Sequence, residues 1–197
     1  MKYEGDFYMP ATEPIRNKAK LRQLAGYCLQ RGQVRNYTMI IMGVHTALRI
    51  SDLLHLTWPD VYDGEREIFR SHITLTEKKT GKHKTIALNK QVITALKLLL
   101  PHKRNTYIFA NNRKVPAPIS RVQAWRIIKQ AADAASIAGS TGGHVLRKTF
   151  GYFAWKAGVS PVVLMDIYNH SSYSITRRYL GVSQDDRDEV YLSLALF

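Results

Sequence analysis

The chain has a single cysteine, Cys28, among its 197 residues. One thiol excludes an internal disulfide and a Cys-rich zinc site, and it suits a reducing compartment. Long apolar runs are missing: the longest, residues 39–48, is broken by His45 and is too short to cross a membrane. The opening MKYEGDFYMP lacks the apolar core of a signal segment. A soluble, cytoplasmic protein is the expectation. Clustered carboxylates suited to Mg²⁺ are lacking. The glycine-rich GSTGG at 139–143 has no Walker lysine after a strand. Neither a metal nor a nucleotide cofactor is therefore expected. Acidic residues are scarce too, 15 against 29 Lys and Arg, for a net charge of +14.

That imbalance favours a polyanionic partner, because each Lys or Arg placed on a phosphate releases condensed counterions. Charge alone does not separate nucleic acid from an anionic membrane or a ribosome. With 45% apolar residues the chain can bury one sizeable core.

In chain order, residues 1–11 read as a tether and 12–197 as one domain. Thr12 is placed to cap a helix through about Gln30, with Ile15, Ala19, Leu24, Ala25 and Leu29 inward. Asn36 opens a strongly apolar helix that delivers Arg49, and Ser51 is placed to cap the next one. An Arg between two buried helices needs a partner. Asp52 could pair with it, or the guanidinium fork could hold a phosphate. Between 61 and 89 the period changes to alternation. SHITLTE and HKTIAL flank KKTGK, which predicts an antiparallel β-hairpin turning at Gly81. Lys90–Leu100 reads as an amphipathic helix ended by Pro101. Ser120 is placed to cap a helix to about Ala135 with Val122, Trp125, Ile128 and Ala131 inward. That helix exposes Arg121, Arg126 and Lys129, which suit phosphate contact. The fold class is mainly α with a small antiparallel β-hairpin.

The stretch 142–180 carries the chemistry. Helical spacing predicts a helix over 145–157 closed by Gly158, with His144 and Arg147 three residues apart on one face. Pro161 opens a short helix. His170 follows it at a turn, and Ser174 is placed to cap a last helix bearing Tyr179. A histidine suits proton transfer near neutral pH. An arginine pair neutralises charge on a phosphoryl group, and a tyrosine hydroxyl is a nucleophile once its proton is drawn off. Each residue alone has a bland reading: a chance His-x-x-Arg, a packed tyrosine ring, a solvated lysine turn. Their order in one chain is the specific signal. The tail at 184–197 turns acidic and then apolar, predicting a helix whose Val190, Leu192 and Leu196 need cover.

With TALRISDLL (46–54), HVLR (144–147), NHSS (169–172) and Tyr179, essentially the whole chain resembles the catalytic domain of the tyrosine recombinases, or phage integrase family. The resemblance implies a site-specific DNA strand transferase acting on double-stranded DNA through a 3′-phosphotyrosyl intermediate, without metal or ATP. Arg49 and Arg147 would clamp the phosphate and His144 would transfer a proton. His170 would bond the phosphate and Tyr179 would attack it. Asp52 would orient the basic residues from behind. The family's hairpin lysine, general acid to the leaving 5′-oxygen, would be Lys79, with Lys78 and Lys82 as competitors. Asn169 stands where the family usually has Gly, a mild departure because Asn tolerates positive φ. The resemblance also implies a homo-oligomer, a tetramer on DNA, in which the tail helix docks on a neighbouring protomer. Folding back on its own core is the other fate of that helix. Members commonly carry a further N-terminal DNA-binding domain, so the chain reads as either a fragment or a short single-domain member. A nucleoid-associated location follows from the DNA partner. A non-catalytic regulator on the same fold and a type IB topoisomerase-like enzyme are the competing readings.

Overall fold

The structure, a computed structural model, describes residues 12–78, 80–139, 142, 144–182 and 184–194. Helix α1 (Lys18–Gln30) begins later than Thr12, because Asn17 caps it: its Oδ1 accepts from the backbone N–H groups of Ala19 and Lys20. The segment before it is docked instead, with the N–H of Ile15 donating to Thr149 Oγ1. Leu24, Ala25 and Cys28 of α1 are buried, whereas Ala19 and Leu29, expected inward, are exposed. Helix α2 (Val34–Thr46) starts two residues before Asn36 and is buried along most of its length.

Helix α2 ends at Ala47, which adopts φ 54°, a left-handed conformation that L-residues seldom take. After this bend, Arg49 occupies the cap position of α3 (Ile50–Leu54) in extended backbone, so Ser51 is not the cap. Helix α4 (Trp58–Val61) is separate, opened by a reciprocal Thr57–Asp60 capping box. Strands β1 (Tyr62–Asp63) and β2 (Ile68–Phe69) make one short antiparallel pair. The predicted hairpin forms from β3 (His72–Thr76) and β4 (His83–Ala87), in the register Thr76 opposite His83 and Leu75 opposite Lys84. Gly81 turns it with φ 67°.

Helix α5 (Lys90–Leu99) buries Val92, Ala95, Leu96 and Leu99 and runs into a single 3-10 turn at Leu100–His102. Helix α6 (Arg121–Ala134) is capped by Ser120 and buries Ala124, Ile128, Ala131 and Ala132. Val122 and Trp125, expected inward, face solvent, Trp125 at 44%. Small alanines form the seam of α6, and they leave no depth for an indole.

Helix α7 (Val145–Lys156) crosses α2 where Gly43 lies against Leu146, and a Cβ on Gly43 would fall 2.5 Å from Leu146 Cδ1. Helices α8 (Pro161–Tyr168) and α9 (Tyr173–Leu180) pack with α7 over a second, smaller core of Ala47, Leu164, Tyr168 and Leu180. The last helix, α10 (Gln184–Ser193), is tied to α7 by Lys156, whose Nζ lies 2.6 Å from Glu189 Oε2 and 3.5 Å from Asp186 Oδ1. Its Val190 and Leu192 stay uncovered, Leu192 at 88%, while Leu196 lies outside the described residues. None of the helices among the described residues is long and apolar enough to cross a membrane.

Candidate active site

The site forms where the main core meets the smaller one. Arg147, in the first turn of α7, is 1% exposed. Its Nη1 donates to the carbonyl of Ala47 and its Nη2 to that of Tyr168, at 2.8 Å. One guanidinium thus clips the bend before Arg49 to the end of α8. The left-handed Ala47 exposes its carbonyl to this bond. Arg147 Nε has no partner among the described residues. Burial and the neighbouring Arg49 lower the basicity of Arg147.

Tyr179 on α9 turns its ring into this cluster. The ring lies 4.7 Å from His170 and 6.1 Å from His144, centroid to centroid, and 6.0 Å from the Arg147 guanidinium carbon. The Tyr179 hydroxyl is 3.5 Å from His144 Nδ1. His170 follows Asn169, which closes α8 at φ 53° as its predicted tolerance of positive φ requires. The His170 Nδ1 lies 3.0 Å from Thr176 Oγ1, and the ring stacks on Tyr168 at 5.0 Å and 22°. Burial, with Arg147 and Arg49 nearby, pushes the imidazole down to about 4, so it is neutral at neutral pH. When the Thr176 hydroxyl donates to Nδ1, the tautomer left is the one that donates from Nε2.

Arg49 finds its partner in Glu77, not Asp52: Arg49 Nη1 is 2.6 Å from Glu77 Oε2. Asp52 instead accepts the backbone N–H of Lys78 through Oδ1, at 3.2 Å, and so ties α3 to the hairpin turn. Its Oδ2 is buried without a partner among the described residues. Lys79 lies outside the described residues. Of its competitors, Lys82 is exposed at the turn, and Lys78 is exposed with its backbone N–H donating to Asp52. Arg121, Arg126 and Lys129 are exposed on α6, with Lys129 paired to Asp133 at 2.5 Å.

Three site residues escaped the sequence analysis. Glu77 is buried at the foot of the hairpin, and Lys84 donates to the carbonyl of Ile167 with its Nζ 3.9 Å from Glu77 Oε1. Burial and the Arg147 charge bring Lys84 down to about 8. The signal for both was strand alternation: Ile73, Leu75 and Glu77 share the inward register, and Lys84 faces Leu75 across the ladder. Tyr168 is fully buried, its hydroxyl donating to the Arg147 carbonyl at 2.8 Å and its ring 4.7 Å from the Arg147 guanidinium. No sequence pattern distinguishes it from an ordinary core aromatic. Beside Tyr179 opens a cleft of about 1090 Å³, whose basic lining includes Arg16, Lys148, Arg177 and Arg178.

The phage integrase family model matches residues 17–185. The probable integrase/recombinase YoeC of Bacillus subtilis (strain 168) is 37% identical over 187 residues, covering 93% of this chain and 97% of that protein. Tyrosine recombinase XerD of Mycobacterium tuberculosis (strain CDC 1551 / Oshkosh) is 25% identical over 167 residues, covering 80% of this chain. The chain spans about half of that relative, 51% of its length. Among solved structures, XerH site-specific recombinase bound to its palindromic difH substrate superposes with a TM-score of 0.73 at 17% identity, over 90% of this chain and 51% of that one. A match running through most of the sequence, with a 37% identical relative covered almost end to end, means that the chain belongs to the phage integrase family and has the fold of its catalytic domains.

Proposed function

We propose that the chain is a site-specific DNA recombinase that cleaves and rejoins strands of double-stranded DNA through a 3′-phosphotyrosyl intermediate. The observation that carries this reading is the seating of the Tyr179 ring among His144, His170 and Arg147. Tyr179 Oη attacks the scissile phosphorus and its proton passes to His144. The phosphorus–tyrosyl bond forms as the bond to the 5′-oxygen breaks, and that oxygen leaves as a hydroxyl. Its proton comes from Lys79, the lysine the family pattern sets at the hairpin turn. Arg49 keeps donors free of Glu77 for a non-bridging oxygen, and neutral His170 donates to another. Arg147 holds the Arg49 bend and the α8 end in place, so the donors are arranged before charge builds up. Rejoining reverses these steps with a different 5′-hydroxyl.

The uncovered Val190 and Leu192 of α10, with Leu194 just beyond it, support docking of this helix on a neighbouring protomer, giving a tetramer on DNA. The domain then comprises 12–197 with an N-terminal tether at 1–11. The test of function is trapping on nicked suicide duplex DNA, read on denaturing gels. A covalent protein–DNA band that Tyr179→Phe abolishes is the expected result. Duplex binding without any such band from the wild-type chain would refute the assignment.

A further inference from the structure

Glu77 is the carboxylate of the cluster that pairs directly with Arg49, and its charge opposes the task of holding a phosphate. Its carboxylate is fully buried, an expensive place for an anion. It is nevertheless ionised, down to about 2. Burial works against the charge, and donors from Arg49, Thr80 and Asn169 outweigh it. Those donors come from three separated parts of the chain, all converging on Oε2. Arg49 Nη1, from the bend after α2, reaches it as an ion pair at 2.6 Å without hydrogen-bond alignment, and Thr80 Oγ1, from the hairpin turn, donates at 2.8 Å. Asn169 Nδ2 at 3.1 Å comes from the residue before His170. The Glu77 backbone closes the same turn, its carbonyl accepting from Gly81 N and its N–H donating to Lys82 O.

Asn169 then has a reason to be there. At φ 53° a glycine would meet the backbone requirement at least as well. What asparagine adds is the amide that reaches Glu77. We propose that Glu77 and Asn169 are positioning residues for strand cleavage: a carboxylate–amide latch that sets Arg49, the hairpin turn and the His170 turn in one register. Glu77 takes one Nη of Arg49 and leaves the other donors of that fork for phosphate. It also offsets the mutual repulsion of Arg49, Arg147 and Lys84, whose charges crowd one another. The latch rests on the recombinase reading only for its consequence; its geometry stands without it.

The experiment is a double-mutant cycle of Glu77→Ala and Asn169→Gly, with Glu77→Gln as the isosteric control. Single-turnover cleavage of nicked suicide duplex and duplex affinity are measured in parallel. Cleavage falls about tenfold to a hundredfold in Glu77→Ala, as expected for misplaced catalytic groups, while the DNA dissociation constant stays within about twofold. Asn169→Gly, which satisfies the backbone and folds, slows cleavage in the wild-type background but adds nothing in Glu77→Ala. Additive losses, or wild-type cleavage by Asn169→Gly, overturn the latch. A wild-type chain that forms no Tyr179-dependent adduct refutes the recombinase reading instead. The latch is then read by NMR from the Asn169 side-chain amide, whose protons exchange slowly with solvent in the wild type and rapidly in Glu77→Ala. Equal exchange in both overturns it.

Discussion

Gly151 to alanine is the substitution whose cost follows most directly from the packing. Gly151 lies inside α7, where alanine would ordinarily stabilise by about 0.5–1 kcal/mol. Here a Cβ would fall 2.1 Å from Tyr168 Oη and 3.0 Å from its Cζ. That ring is fully buried, and its hydroxyl is held by the Arg147 carbonyl, so it has to move by roughly 1 Å or more to reach ordinary contact. Overpacking of this kind costs about 1–3 kcal/mol, and the broken hydrogen bond about 1 kcal/mol more. Net destabilisation of about 1–3 kcal/mol is expected, a fall of roughly 3–10 °C in melting temperature for a domain of this size. Tyr168 also stacks on His170 and lies 5.3 Å from the Tyr179 ring, so cleavage should fall by up to about a hundredfold. The assay is calorimetry beside suicide-substrate trapping, for Gly151→Ala alone and with Tyr168→Phe. Removing the hydroxyl relieves the 2.1 Å contact while the ring carbons stay near 3.0 Å, so the double variant should regain part of the lost stability. A Gly151→Ala protein as stable as the wild type, or no recovery in the double variant, would refute the reasoning.

Acid should weaken the fold in two windows. His170 and Glu77 both bind fewer protons folded than unfolded, so stability rises with pH through each transition. It is lost first as pH falls from 6.5 to about 4, for His170, and then from 4.5 to about 2, for Glu77. Urea titrations across pH should show His170→Asn flattening the upper window alone; unchanged curves would contradict the assignment. Thr176→Val removes the hydroxyl 3.0 Å from His170 Nδ1, the contact that orients the ring, and should slow cleavage between about tenfold and about a hundredfold. Single-turnover trapping measures it, and a wild-type rate would remove Thr176 from the account. Arg121→Ala and Arg126→Ala should each lower the slope of log affinity against log salt by about 1 if they meet phosphate. Lys129→Ala should change it less, because Asp133 already holds that ammonium; fluorescence anisotropy in graded salt decides both.

The helices and the hairpin were legible because their signals are local. Ser120 caps, Pro161 opens, Gly81 turns, and apolar spacing marks one face of each element. Errors arose where two local signals competed. Asn17 outbid Thr12 as a cap, and the bend at Ala47 displaced Ser51 in favour of Arg49. Trp125 was misplaced because periodicity marks which face a residue shares and not how deep the facing seam is. Among small alanines the indole had no pocket to enter.

The residue types and their order determined, unaided, that an Arg, a hairpin lysine, a His-x-x-Arg, a histidine and a tyrosine occur in one basic, mostly helical chain. Which of these groups meet was decided by the tertiary structure. Arg147 stands a hundred residues from the Ala47 carbonyl it holds, and Glu77 ninety-two from the Asn169 amide it accepts. Such partners share no spacing rule. They are chosen by the crossing of α2 and α7 and by the seating of the hairpin against the end of α8. A buried charge there has to find its counterpart wherever the packing brings one within reach.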